Sequence, residues 1–286
     1  DELVAIKKIK IHAMKDGVDQ KEIKSLQSLD HPNIIKLQDY YDHKGCTCLV
    51  FDYLPFSIMN LLQDETINLS EGDIKAYTQP IFSAIQHAHG RNVIHRDLTT
   101  WNIMVNDRHH VYVCDLGSAR PLPGDATTEM TPGVVTRWYR SPEVLYGSKT
   151  YNKSLDMWAL GCILAEFYTR QALFKGSSDI DQLTQIVDLL GHPCEENWPD
   201  IANLPTFLGF NDTPAKKWSD VLPGASEAAR DLISKLIVWD PKQRLTIEQA
   251  LAHDFFTAGS PTTDLTKLPK LEVIIKKGGD DDDDYQ

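Results

Sequence analysis

Two short stretches hold the side chains best suited to chemistry: His95-Arg96-Asp97-Leu98-Thr99-Thr100-Trp101-Asn102 and, thirteen residues beyond Asn102, Asp115-Leu116-Gly117. Asp97 can accept the proton of an incoming hydroxyl or orient it, and a base so positioned contributes roughly 10²–10⁴-fold in rate. Asn102 and Asp115 are hard oxygen ligands of the kind magnesium takes. Upstream, Val4-Ala5-Ile6-Lys7 ends in a strand lysine suited to the α- and β-phosphates of a nucleotide, and Glu22 can hold that lysine by an ion pair. A strand lysine alone is ordinarily a solvated side chain; the order and spacing of the whole set give this one its meaning. Phosphoryl transfer needs a cradle for the triphosphate, ligands for a metal and a group that orients the acceptor, and each is present.

The elements that must position these groups fall into two stretches. Leu3 to Ile11 is β-branched and partly alternating, which predicts a strand; Ile23, Leu26 and Leu29 predict a helix that His31-Pro32-Asn33 stops, and Cys46 to Phe51 predicts a second strand. After Tyr53-Leu54-Pro55 the pattern turns helical. Ser70 with Asp73 reads as a capping box opening a helix through Ile74, Tyr77, Ile81, Phe82 and Ile85, which Pro80 should kink or break. Val93-Ile94, Ile103 to Val105 and Val111 to Val113 read as short strands. Asp156 to Phe167 is apolar on nearly every side and predicts a buried helix, Ala229 to Ile237 predicts an amphipathic one, and Thr246 with Gln249 caps a last one. Beyond Phe256 a Pro-, Thr- and Lys-containing segment runs to five aspartates, Asp280 to Asp284, and reads as a surface or disordered tail.

The 286 residues carry a net charge of −12, which makes the chain a poor direct binder of nucleic-acid phosphate. No apolar run is long enough for a membrane span, and the first residues do not read as a signal peptide. Five cysteines without a CxxC pair fit a reduced, intracellular protein; Cys114, beside Asp115, reads either as a reactive thiol or as a buried inert one.

From residue 3 to 257 the sequence resembles the cyclin-dependent branch of the protein kinases, and within it the cyclin-dependent-kinase-activating group associated with transcription factor IIH. The resemblance rests on Lys15 to Lys24, His31 to Ile35, Leu49 to Tyr53, Val134 to Arg140, Ser141-Pro142-Glu143, Asp156 to Leu164, Asp179 to Leu183 and Trp198-Pro199-Asp200. It implies an α+β, bilobal eukaryotic protein kinase fold, with an incomplete β-rich N-lobe (1–52), a hinge (53–57), a helical C-lobe (58–257) and the tail (258–286). It implies ATP and Mg²⁺ at the site, with Ala5 and Met104 sandwiching the adenine, the backbone of Asp52 and Leu54 at its edge and Phe51 as gatekeeper. Lys7, Glu22, Asp97 and Thr136 would be the catalytic set. Thr131 matches an activation-loop phosphorylation site, with Arg96, Arg120 and Lys21 to clamp the phosphate; an ordinary loop threonine is the other reading. Val135 and Arg140 match a pocket for proline after the target residue, and Arg244 the buried partner of Glu143.

The resemblance further implies a nuclear serine/threonine kinase, the cytoplasm being a second location left open. Its substrates would be cell-cycle kinases and the RNA polymerase II tail, its partner a cyclin, with no direct nucleic-acid or membrane contact. The segment between Lys7 and Glu22 is shorter than in the cyclin-binding relatives, so the cyclin's grip is expected to differ. The sequence lacks the two strands and the glycine-rich loop that such kinases place before the lysine strand, which reads as truncation. Thr99 stands where these kinases have a lysine and Trp101 where others have an arginine; losing one pre-aimed cation costs on the order of 10²–10³ in turnover. Leu116 replaces phenylalanine, and Ser57 replaces a ribose-contacting aspartate. A catalytically weak pseudokinase acting as a scaffold is therefore the alternative function, and another proline-directed kinase of the same branch a third.

Overall fold

The computed structural model describes residues 3–10, 18–122, 136–150 and 152–271, without the side chains of 18–21. Near the amino end, β1 (Val4–Lys10), β2 (Asp39–His43) and β3 (Cys46–Asp52) form an antiparallel sheet in the order β1-β3-β2, with Lys7 opposite Leu49 and Ala5 opposite Phe51. Between β1 and β2 lies α1 (Val18–Ser28), which carries Glu22 and buries Leu26. Strand β2 lies outside the expected pattern: all five residues are exposed, so no alternation marks it in the sequence.

Phe56 and Ser57, expected within the connector, instead form β4 (Phe56–Ser57), which leads into α2 (Ile58–Gln63). In α3 (Glu71–Gly90) the Ser70/Asp73 capping box is formed, and one helix runs past Pro80, so the expected kink or break does not end it. Ile74, Tyr77, Ile81, Phe82 and Ile85 are buried on either side of the proline, and that packing outweighs a single missing backbone hydrogen bond. The short strands follow as expected: β5 (Val93–Ile94), β6 (Ile103–Val105) and β7 (Val111–Val113), with β8 (Arg120–Pro121) pairing to β5 and the order β4-β6-β7 in the second sheet.

Then come α4 (Pro142–Leu145), α5 (Ser154–Thr169), α6 (Asp179–Leu190), α7 (Trp218–Val221), α8 (Glu227–Leu236), α9 (Ile247–Leu251) and α10 (Asp254–Thr257). Helix α5 is the axle of this half, burying every residue from Leu155 to Phe167. The Thr246/Gln249 capping box opens α9. The bidentate Glu143–Arg244 pair, at 2.8 and 2.7 Å, is buried under α4.

As far as residue 271 the segment after Phe256 takes the first of its two expected forms, lying ordered along the surface. The Thr263 amide donates to Gly72 O and the Leu271 amide to Asp107 O, while Lys75 Nζ, buried on α3, donates to Ala258 O and Ser260 O. Leu265 and Leu271 pack on the core, so apolar anchoring overrides a polar composition. The acidic run lies outside the described residues. Among those described, no helix is long and apolar enough to cross a membrane, and the five cysteines are free.

Candidate functional site

The floor of the cleft is the loop that leaves β5 and enters β6. Asp156, at the start of α5, accepts from the His95 and Arg96 amides at 2.9 Å each and from His89 Nε2 at 2.8 Å. Burial pushes the Asp156 carboxyl up, but the hydrogen bond and charge of His89, with His95, outweigh it and hold it below the usual carboxylate range. His95 Nε2 donates to Cys114 O and its Nδ1 accepts the Asp97 amide, so one ring ties the loop to the end of β7. The loop is closed by Asn102, whose amide meets Thr99 Oγ1 at 3.1 Å, and by the Met59 amide on Thr100 O at 3.0 Å.

Thr99 is therefore buried and used inside the loop, not aimed at a ligand. Ser57 likewise caps α2: its Oγ accepts the Asn60 amide and donates to Asn60 Oδ1. Both positions had suggested a weakened nucleotide site by what they lack; each has a structural task.

Asp97 Oδ1 accepts from both the amide and the hydroxyl of Thr136, at 2.9 Å each. Asn102 Nδ2 donates to Asp97 O at 2.8 Å, which turns Oδ1 of the amide away from that carbonyl. Asp115 sits in left-handed backbone (φ 57°), a conformation that aspartate tolerates better than most residues. Its Oδ1 accepts from Lys7 Nζ at 2.7 Å, and Lys7 Nζ also reaches Glu22 Oε1 at 2.9 Å. Burial alone would lower the lysine; the Asp115 and Glu22 carboxylates outweigh it and hold its pKa above the ordinary value. For Asp115 burial acts upward, and Lys7, with the Gly117 amide, pulls the carboxyl below its usual range. Gly117 leaves room for this clasp: a Cβ there would lie 3.0 Å from Lys7 Nζ and 3.2 Å from Glu22 Oε2, so those side-chain ends would have to shift by a few tenths of an ångström.

Above this floor is a cavity of about 340 Å³ lined by Ala5, Lys7, Phe51, Asp52, Leu54 and Met104, all expected at the site. Sequence reasoning missed the lining residues Ile6, Leu26, Ile35, Cys114 and Leu116 as such; Ile6, Cys114 and Leu116 had the signal of an apolar residue next to a recognised one, and Leu26 and Ile35 had none. Burial pushes the Cys114 thiol up to about 12, which answers the open question about it in favour of the inert reading.

Arg96 (φ 70°) and Arg120 reach the same turn, Leu116–Ser118, and its flank: Arg96 Nε donates to Ser118 O, and Arg120 Nη1 to Gly117 O and Ala119 O. Arg140 Nη1 and Arg137 Nε share Asp179 Oδ1, at 2.9 and 3.0 Å. Thr131 and Val135 lie outside the described residues, as does the side chain of Lys21.

A donor set of one carboxylate with a further oxygen, Asp115 Oδ2, and one oriented amide oxygen fits a hard divalent cation and not a soft one. The cavity beside it has apolar walls above a lysine, which suits a flat ring carrying phosphates.

Comparison with known proteins agrees in kind. The protein kinase domain family matches residues 1–256. The chain is 40% identical over 272 residues to cyclin-dependent kinase D-1 of Arabidopsis thaliana, covering 94% of this chain and 68% of that protein. Cyclin-dependent kinase 7 of Dictyostelium discoideum is 36% identical over 275 residues, covering 94% and 76%. Cyclin-dependent kinase 7 of Xenopus laevis is 37% identical over 276 residues, covering 94% and 78%.

Proposed function

Because this chain belongs to the protein kinase family, as an ATP-dependent serine/threonine kinase of the cyclin-dependent type, we propose a division of labour among its cleft residues. The observation that carries it is the clasp of Lys7 on both Glu22 and Asp115, which joins segments 108 residues apart in the chain. Adenine lies between Ala5 and Met104, with the backbone of Asp52 and Leu54 at its edge and Phe51 behind it. Lys7, held by Glu22, steadies the α- and β-phosphates. Asn102 and Asp115 hold a divalent cation, magnesium by the chemistry of the donors; when bound it offsets the charge of the phosphates. Asp97, held by Thr136, orients the acceptor hydroxyl and takes its proton.

On the acceptor side, Val135 and Arg140 favour proline after the target residue. Phosphorylation of Thr131 would bring about −1.5 to −2 charges to Arg96, Arg120 and Lys21, ordering the loop between them. The names of the similar proteins support a cyclin as partner; a nuclear place of work, with cell-cycle kinases and the RNA polymerase II tail as substrates, is our proposal. The catalytic unit is read as an N-lobe to residue 52, a connector to 57 and a C-lobe to 257.

The test is transfer of labelled phosphate from ATP to a polymerase-tail peptide by the full-length protein with its cyclin. Transfer that disappears in Asp97→Asn supports the reading. Undiminished transfer in that variant removes Asp97 from its role.

A further inference from the structure

Beneath the catalytic loop, three buried side chains from three segments meet. Thr100 stands three residues after Asp97, Tyr139 three residues after Thr136, and Glu166 on α5 below them; none is more than 1% exposed. Thr100 Oγ1 lies 2.9 Å from Tyr139 Oη and 3.3 Å from Glu166 Oε1, and Tyr139 Oη lies 2.7 Å from Glu166 Oε2. The two segments that Thr136 joins to Asp97 at the mouth of the cleft are thus joined again at its base.

Counting hydrogens decides how this triangle works. Three contacts require three hydrogens, and the two hydroxyls supply two. With an ionised carboxylate, Tyr139 donates to Oε2, and Thr100 must choose between Tyr139 and Oε1. An uncharged Glu166 supplies the missing hydrogen: Oε1–H donates to Thr100, Thr100 to Tyr139, and Tyr139 to Oε2. Each side chain then donates once and accepts once.

The electrostatics favour the uncharged form. The titratable or charged groups facing Glu166 are Tyr139, Cys162 one turn earlier on α5, and Lys175, which is exposed and bonded to Gln171 Oε1. Among the described residues no cation pairs with Glu166, and a buried carboxylate without one is costly to ionise. Burial accordingly pushes this carboxyl above its usual range, against the pull of the Tyr139 and Thr100 hydrogen bonds.

We propose that Glu166 is a positioning residue for phosphoryl transfer: uncharged, it closes a ring of three hydrogen bonds with Thr100 and Tyr139 that fixes the spacing between Asp97 and the Thr136 segment. The proposal rests on the reading of Asp97 as the group that orients the acceptor.

Two measurements on the full-length kinase with its cyclin test it. The first is the infrared difference spectrum between wild type and Glu166→Gln near neutral pH. The expected result is a protonated-acid carbonyl band present in wild type and lost in the variant; loss of a carboxylate band pair instead overturns the proposal. The second is kcat and KM against pH. Thr100→Val and Tyr139→Phe should lower kcat about tenfold to a hundredfold with ATP KM changed less than about twofold, and Thr100→Ser should restore the rate. Glu166→Gln, neutral and able to donate and accept, should keep kcat within about threefold and lack the alkaline fall expected of wild type as Glu166 ionises; Glu166→Leu should lose about a hundredfold. Equal losses in the Gln and Leu variants, or a pH profile unaltered by Gln, overturn it. Folding of each variant is checked by its melting temperature. The infrared band does not depend on turnover, so failure of the Asp97 reading and failure of this one are told apart.

Discussion

Along β1 the side chains alternate between exposed and half-buried, and β2 is exposed at all five positions, whereas α5 buries thirteen of its sixteen residues. The two faces of the cleft are therefore held by different physics. The nucleotide face depends on a charged clasp whose lysine and aspartate side chains are 37% and 43% exposed. The acceptor face is bolted into a core through Asp156, Glu166 and the Glu143–Arg244 pair, all buried. Charges near water are screened and reversible, while buried pairs are rigid and fragile. A kinase whose nucleotide must enter and leave while its base stays fixed is served by that division.

If the division is real, function and stability should separate along it. The largest expected effect is in turnover alone. Asp97→Asn keeps the shape of the side chain and should lower kcat by roughly 10²–10⁴-fold, with a melting temperature close to that of wild type. A comparable fall in melting temperature would mean that Asp97 belongs to the core and not to the cleft.

Next in size is the contrast between two ion pairs. Arg244→Ala leaves Glu143 charged and buried, which should cost about 3–5 kcal/mol, or roughly 6–20 °C in melting temperature for a domain of this size. Lys7→Ala removes a cation whose side chain is 37% exposed but also leaves Glu22, 3% exposed, without its partner, so it should cost less stability than Arg244→Ala while abolishing productive ATP use. Calorimetry beside ATP turnover measures both, and equal destabilisation in the two variants would erase the distinction.

Acid sharpens the same contrast. The Asp156 carboxyl is held below its ordinary value of 3.8, so the folded form binds its proton less readily than the unfolded chain does. Its contribution is present in full above the ordinary value and is lost as pH falls through the lowered one. Asp156→Asn should therefore be less stable than wild type at neutral pH, with the gap narrowing as acid is added. Denaturant melts at several pH values check this, and a gap that widens in acid contradicts the assignment.

How much of this was legible in the sequence follows the same division. Lys7, Glu22, Asp97, Asn102 and Asp115 could be read because phosphoryl transfer tolerates few residue types at those spacings, and the structure brings them together. Helix α5 was legible because burial on all sides leaves an apolar run. The Glu166 ring was not read, although a glutamate in that run was its signal: its partners Thr100 and Tyr139 lie 66 and 27 residues away. Strand β2 was hidden because an exposed strand has no buried face to print a pattern. The unbroken run of helix past Pro80 and the ordered course to residue 271 were not legible locally, because they depend on long-range packing, such as the Lys75 hold on Ala258 and Ser260.

The smallest effect lies where the two faces meet. Ser57 pairs with Met104, which lines the cavity, across β4 and β6, and its identity could be taken as a defect in ribose binding. Its hydroxyl, however, is committed to Asn60, accepting the amide at 3.1 Å and donating to Oδ1 at 2.8 Å. Ser57→Ala deletes a helix cap, so it should cost about 0.5–2 kcal/mol of stability. The ATP KM should hold within about twofold, since the lost group faces the helix and not the ligand. Chemical denaturation with ATP titration reads both quantities on one preparation. Unchanged stability with a raised KM would return Ser57 to the nucleotide and move the boundary between the faces one strand deeper.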